Sequence, residues 1–183
     1  MSTVHEAWSC LRSEADERAG LEPLIGQFLN EAVLSHDSLD SALALLVSSV
    51  AQRQLKDVSG LLEKVRHIYA GQENIVKAAA ADLLAYFNRD SACNFLLQPF
   101  LFYKGFKAIQ THRIANALWA NEEKILALLL QSCMSEMLSI DIHPAAQIGS
   151  GIMIDHATGI VIGETTIIED DVSIMQNVTL GGT

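Results

Sequence analysis

From Ile142 onward a β-branched residue stands at every sixth position: Ile142, Ile148, Ile154, Ile160, Thr166, Val172 and Val178. Six of the seven are also aliphatic. Branching at Cβ suits extended backbone and disfavours helix. A hexapeptide period is the sequence mark of a parallel β-helix, in which each repeat is too small to bury its apolar face alone. Three hexads make one triangular coil, the in-frame side chain points inward, and stacked coils bury it against its equivalents above and below. One or two such positions would be noise. Seven in succession favour coils over the alternative, a pair of ordinary strands with alternating apolar residues. Residues 142–183 hold seven hexads, two coils and a third of another. The spacing alone leaves the hand of the helix open.

Upstream of about residue 138 the period is helical. Thr3-Val4-His5-Glu6 has capping-box spacing, and Gly20 and Pro23 break the helix it would open. Between Ser38 and Gln54, Leu39, Ala42, Leu43, Leu46, Val47 and Val50 fall on one face. Leu61, Leu62, Val65 and Ile68 repeat the pattern within Val58 to Tyr69, and Ile75 to Phe87 is rich in alanine, the best helix former. Asn88 to Ser91 reads as a break, Pro99 opens a run through Trp119, and Glu122 to Met137 gives the last helix. The expected class is therefore α+β, with a helical N-terminal domain over 1–138 and a coil domain over 139–183.

Composition narrows the partners. Half of the 183 residues are apolar, enough for a core. Twelve basic against 22 acidic residues give a formal charge of −10, which disfavours nucleic acid and anionic membrane surfaces. The start has no basic stretch followed by an apolar one, as a secretory signal would. The apolar run from Ile125 to Leu130 is too short to span a bilayer. Cys10, Cys93 and Cys133, odd in number and widely spaced, fit reduced thiols in a cytoplasmic protein. No metal site is expected, because the repeat region carries only His143 and His156 and no cysteine.

Several runs together resemble the bacterial serine acetyltransferases: Asp141-Ile142-His143-Pro144-Ala145-Ala146, Gly151-Ile152-Met153-Ile154-Asp155-His156-Ala157-Thr158-Gly159, Ile162-Gly163-Glu164 and Asn177 to Thr183. Tyr103-Lys104-Gly105-Phe106 and His112-Arg113-Ile114 are similar to the family as well. The resemblance implies a left-handed β-helix and the transfer of an acetyl group from acetyl-CoA to the hydroxyl of L-serine, giving O-acetylserine for cysteine biosynthesis. It implies acetyl-CoA as co-substrate, with no tightly bound cofactor. It also implies a homotrimer, or a hexamer built as a dimer of trimers, in which the helical domain serves oligomerisation and supplies part of the serine site.

A free serine hydroxyl is a weak nucleophile and needs a base within hydrogen-bond reach. By the resemblance, His156 is that base and Asp141 the carboxylate that fixes its tautomer. The two are fifteen residues apart, less than one 18-residue coil, so they are expected on neighbouring rungs without stacking directly. Asp90 and Asp155 match the carboxylates that hold the serine ammonium group, and Asp90 would bring the helical domain into the pocket. The remaining histidines are expected as surface or packing residues, with His143 shaping a turn before Pro144, and Cys93 and Cys133 are expected to pack. Glu169-Asp170-Asp171 is expected at a solvated corner.

Family members continue beyond the position of Thr183 with a Gly-Lys pair, an Arg- and His-bearing loop, more coils and a tail. After Lys124 this sequence has no Lys or Arg, whereas seven carboxylates follow. Backbone amides near Gly181 and Gly182 are then the remaining candidates for anionic groups of coenzyme A, and an impaired coenzyme site is expected. Contact with O-acetylserine sulfhydrylase, which depends on the tail in the family, is not expected. Two other readings stay open: a non-catalytic assembly fragment, and a hexapeptide acyltransferase for another acceptor.

Overall fold

The computed structural model describes residues 3–181. Eight α-helices precede seven short strands among them. The helices are α1 (Thr3–Leu21), α2 (Gly26–Leu29), α3 (Leu39–Val50), α4 (Ser59–Gly71), α5 (Glu73–Arg89), α6 (Leu97–Phe102), α7 (Lys104–Ala120) and α8 (Lys124–Leu138). All six periodic apolar residues of α3 are buried, as are Leu61, Val65 and Ile68 of α4, so the helical stripes face one core. Two helical features differ from the periodicity. The run from Pro99 to Trp119 is two helices, because Tyr103 adopts an extended backbone (φ −85°, ψ 114°) and turns the chain between α6 and α7. The segment after the Gly20/Pro23 break is helical too, with a 3₁₀ turn at Pro23–Ile25 and a π-helical turn at Asn30–Leu34 flanking α2.

α8 ends where Ser139 takes a left-handed conformation (φ 58°), and the chain enters the coils. The first coil holds β1 (Ile140–Ile142), β2 (Gln147–Ile148) and β3 (Met153–Ile154); the second holds β4 (Ile160–Ile162), β5 (Ile167–Ile168) and β6 (Ser173–Ile174); β7 (Thr179–Leu180) opens the third. Each strand pairs in parallel with its equivalent one coil away, giving three narrow sheets, β1-β4-β7, β2-β5 and β3-β6. This is the beginning of a left-handed parallel β-helix.

The coils are not all 18 residues long. Ile142 faces Ile162, Ile148 faces Ile168 and Ile154 faces Ile174, an offset of 20, whereas Ile162 faces Leu180 at an offset of 18. The uniform sixfold frame therefore slips by two between Ile154 and Ile160. The extra residues lie in the turn from Asp155 to Gly159, where His156 (φ 54°), Ala157 (φ 62°) and Gly159 (φ 76°) are all left-handed. The slip was masked because strand residues two apart share a face: Ile160 and Ile162 are both buried.

Helices α5 and α7 support the first coil. Asp82, fully buried, accepts from Nε and Nη2 of Arg113 (3.1 and 2.8 Å), from Gln110 Nε2 (2.9 Å) and from the amide of Ile152 (2.8 Å). Arg113 also donates to the carbonyl of Gly149 at 2.7 Å. The acidic corner is tied down as well. Asp170 accepts from the Ser150 amide (2.7 Å), and Asp171 pairs with Arg89 (2.7 Å). Glu169-Asp170-Asp171 is thus the exposed corner expected, with Asp170 and Asp171 tied across it.

Candidate active site at the joint of helices and coils

The two-residue insertion projects Asp155 and His156 out of the prism toward the start of α7. A cleft of about 440 Å³ opens there, lined by Asp90, Tyr103, Lys104, Gly105, Asp155 and His156, among others. Asp90 caps the C-terminus of α5. Its amide reaches the carbonyl of Tyr86 at 2.9 Å, and its carboxylate accepts the amide of Ala92 at 2.8 Å, forming an Asx turn. Beyond it, Glu14 of α1 accepts the amides of Leu96 and Leu97 (3.2 and 2.9 Å), which fixes the loop that follows Asp90.

On the coil side, one oxygen of Asp155 accepts the amide of His156 and the other faces its Nε2. The imidazole is 69% exposed and stands at the cleft mouth, not in an apolar layer. Lys104 bonds the hydroxyl of Thr158 across the same opening. The Tyr103 phenol is pushed up to about 12 by burial, with the negative charges of Asp90 and Asp155 adding to the effect. The cleft therefore sets two carboxylates, a phenol and an ammonium around an accessible imidazole.

Three of the expected site residues, Asp90, Asp155 and His156, line this one cleft. Asp141 does not line it. It stands on β1 opposite Val161, and its carboxylate accepts from Nε2 of Gln131 at 2.7 Å. Two residues before it, the carbonyl of Ser139 accepts the amide of Gly159 at 2.8 Å, at the end of the turn that carries His156. Gly181 (φ 85°) follows β7 and lies against Gly163 and Thr166, outside the cleft lining, and Gly182 falls outside the described residues.

The other histidines sit apart. His143 accepts the Ala145 amide at 3.1 Å and stacks edge-on against Trp119, shaping the turn before Pro144. His112 and His36 are buried, and so are Cys93 and Cys133. No cluster of three metal-ligating side chains occurs among the described residues, and no helix among them is long and apolar enough to cross a membrane. The residues that sequence reasoning left without a role are Tyr103, Lys104 and Gly105 at the cleft, and Tyr86 behind it. Tyr86 alone left a trace: Asp82, Tyr86 and Arg89 are polar residues at i, i+4 and i+7 in an otherwise alanine-rich helix.

Comparison with known proteins extends this geometry. The profile described as "Serine acetyltransferase, N-terminal" matches residues 7–111. A probable serine acetyltransferase 4 of Oryza sativa subsp. japonica is 49% identical over 96% of the chain and 56% of its own length. The serine acetyltransferase of Neisseria gonorrhoeae, solved in complex with serine, superposes with a TM-score of 0.93 at 44% identity, over 96% of this chain and 73% of that one. A serine acetyltransferase solved in complex with CoA gives a TM-score of 0.94 at 44% identity, over 98% of this chain and 77% of that one. The chain spans between 56% and 67% of the length of the curated relatives it matches.

Proposed function

The chain belongs to the serine acetyltransferase family, and from that premise we propose that it moves the acetyl group of acetyl-CoA onto the hydroxyl of L-serine, giving O-acetylserine. The observation that carries the reading is the meeting of Asp90, Asp155 and His156 in one cleft. Two carboxylates suit the ammonium group of an amino acid, and an exposed imidazole beside them suits a base for its hydroxyl. Solved relatives holding serine and CoA support the same substrates.

In this reading the serine ammonium lies between Asp90 and Asp155, which brings its hydroxyl to His156. The imidazole takes the hydroxyl proton as the serine oxygen bonds to the thioester carbon. The tetrahedral intermediate then breaks its carbon–sulfur bond, and the imidazolium returns the proton to the departing sulfur. O-acetylserine and coenzyme A leave, and His156 is neutral again. Asp141 is assigned to orient the ring, supported by its place at the corner where Gly159 meets Ser139. Backbone amides at Gly181 and Gly182 are assigned to coenzyme A. The working assembly is assigned as a homotrimer or hexamer in the cytoplasm.

The test is thiol release from acetyl-CoA on addition of L-serine, for this chain and for its His156→Ala variant. Release that needs both serine and His156 supports the reading. Release that survives the substitution overturns the assignment of the base. Transfer to a different acceptor in preference to serine overturns the substrate.

A further inference from the structure

β3 belongs to the first coil, so only one of its edges meets another coil. The amides of Met153 and Asp155 point to the coil above, reaching the carbonyls of Val172 and Ile174 at 3.1 and 2.8 Å. The groups aimed the other way have no coil beneath them, and a buried amide or carbonyl without a partner is costly. Helix α5 takes the place of that coil. Asp82 accepts the amide of Ile152 (2.8 Å), and Arg89 donates to the carbonyl of Gly151 (3.0 Å). Between them the hydroxyl of Tyr86 accepts the amide of Ile154 at 3.0 Å and donates to the carbonyl of the same residue at 2.9 Å.

Tyr86 touches each wall of the cleft. Its side chain grips the residue immediately before Asp155 and His156. Its own carbonyl holds the amide of Asp90 at 2.9 Å. Its ring, fully buried, meets Tyr103 edge-on with centroids 5.6 Å apart. A Cβ on Gly105 would sit 2.8 Å from the Tyr86 hydroxyl and 2.0 Å from the carbonyl of Ile154, so the N-terminus of α7 closes over this contact.

We propose that Tyr86 is a positioning residue: its hydroxyl fixes the segment that carries Asp155 and His156 relative to Asp90, and so sets the geometry in which an amino-acid acceptor meets the imidazole. This rests on the proposed function for the acceptor, but not for the contact itself. The alternative is a joint that merely stabilises the fold, as Arg89 does at Gly151.

Tyr86→Phe removes one oxygen and keeps the ring. It is compared with Arg89→Gln, which loosens the same joint at Gly151 and Asp171, outside the cleft lining. Both variants are expected to fold, with unchanged circular dichroism and lowered melting temperature. In steady-state assays of the full chain, Tyr86→Phe is expected to lower kcat about 10- to 100-fold, the cost of a displacement on the order of 1 Å at a reacting pair. It should raise KM for L-serine and leave KM for acetyl-CoA within about twofold. Arg89→Gln should leave all three constants within about twofold. Separately, the imidazole resonances of His156 in isotope-labelled protein should shift in Tyr86→Phe and hold in Arg89→Gln, with those of His112 unmoved in both. This second measurement needs no activity. An unaltered chain that neither binds nor acetylates L-serine would sink the proposed function and leave the spectroscopic comparison to judge Tyr86. An unshifted His156 in Tyr86→Phe, or the same shift in both variants, overturns the positioning role.

Discussion

Asp155 holds its neighbour His156 at two points: one carboxylate oxygen accepts the histidine amide at 2.8 Å, and the other lies 3.6 Å from Nε2 of its ring. The first contact stabilises a left-handed turn, a conformation uncommon for any residue but glycine. The second leaves a charge beside an imidazole open to the cleft. A single carboxylate thus shapes the turn and flanks the ring of the group it projects.

Two substitutions separate these roles. His156→Ala should lower kcat/KM by about 10²- to 10⁴-fold, the usual contribution of a positioned general base, with circular dichroism unchanged. Asp155→Asn keeps an oxygen for the amide but removes the charge, so it should raise KM for L-serine more than it lowers kcat. Thiol-release kinetics check both. An unchanged KM in Asp155→Asn would mean that this carboxylate does not hold the ammonium group.

Much of this site could be read from the sequence, and the gaps have physical causes. The apolar face of α4 follows from spacing because burial there is one-sided, whereas α3 is buried nearly all round and its spacing marks only part of that contact. The hexads could be seen, but their slip at Asp155–Gly159 could not, since a shift of two residues preserves which face of a strand is inward. That slip is why Asp141 stands opposite Val161. Asp90, Asp155 and His156 were found because their local sequences carry the family pattern. Tyr86 and Asp82 were not: their spacing with Arg89 marks a polar face on α5 but not what that face meets, which includes backbone amides some 70 residues away.

Gly105→Ala tests the closeness of α7 to the coil. The new Cβ would lie 2.0 Å from the carbonyl oxygen of Ile154, a backbone atom that cannot swing aside. Overpacking of this kind costs about 1–3 kcal/mol or more. Gly60, near the start of α4, has nothing within 4 Å, and alanine there should stabilise by up to about 1 kcal/mol through helix propensity alone. Urea unfolding of the two variants should therefore move in opposite directions. A neutral Gly105→Ala would mean that the two halves sit further apart.

Stability should fall with acid because of His112. It is 2% exposed beside Arg113, and burial first, then the Arg113 charge, lower its pKa to about 3. In the unfolded chain it titrates near 6.5. Above that pH both states carry neutral imidazole and the group is silent. As pH drops below about 6.5 the unfolded state takes up a proton that the folded state refuses, and stability is lost until about pH 3. Linkage puts the loss at about 2 kcal/mol by pH 5. Buried His36, also lowered, acts in the same direction. Urea unfolding at pH 7.5 and 5 should show this decline, and His112→Asn should flatten it whatever its effect at pH 7.5. An unflattened decline would place the titration elsewhere.

The ion pair of Asp82 and Arg113 fastens the first coil to two helices at once. Asp82 is fully buried and Arg113 only 8% exposed, and water cannot replace either partner. Asp82 is engaged by Gln110, Arg113 and the Ile152 amide, while Arg113 reaches on to the Gly149 carbonyl. Asp82→Asn conserves shape but leaves the guanidinium charge buried without a counter-charge. Breaking a buried pair in this way costs about 3–5 kcal/mol, a large share of the 5–15 kcal/mol or so that holds most domains together. The midpoint of urea unfolding measures the loss, and exchange of the Ile152 amide locates it. Exchange should accelerate at Ile152 before it does in α3, since the coil corner loses its anchor while the helical core keeps its own. A loss below about 1 kcal/mol, or exchange that rises uniformly, would show that the corner at residues 148–152 is held by the coil stack and not by the helices.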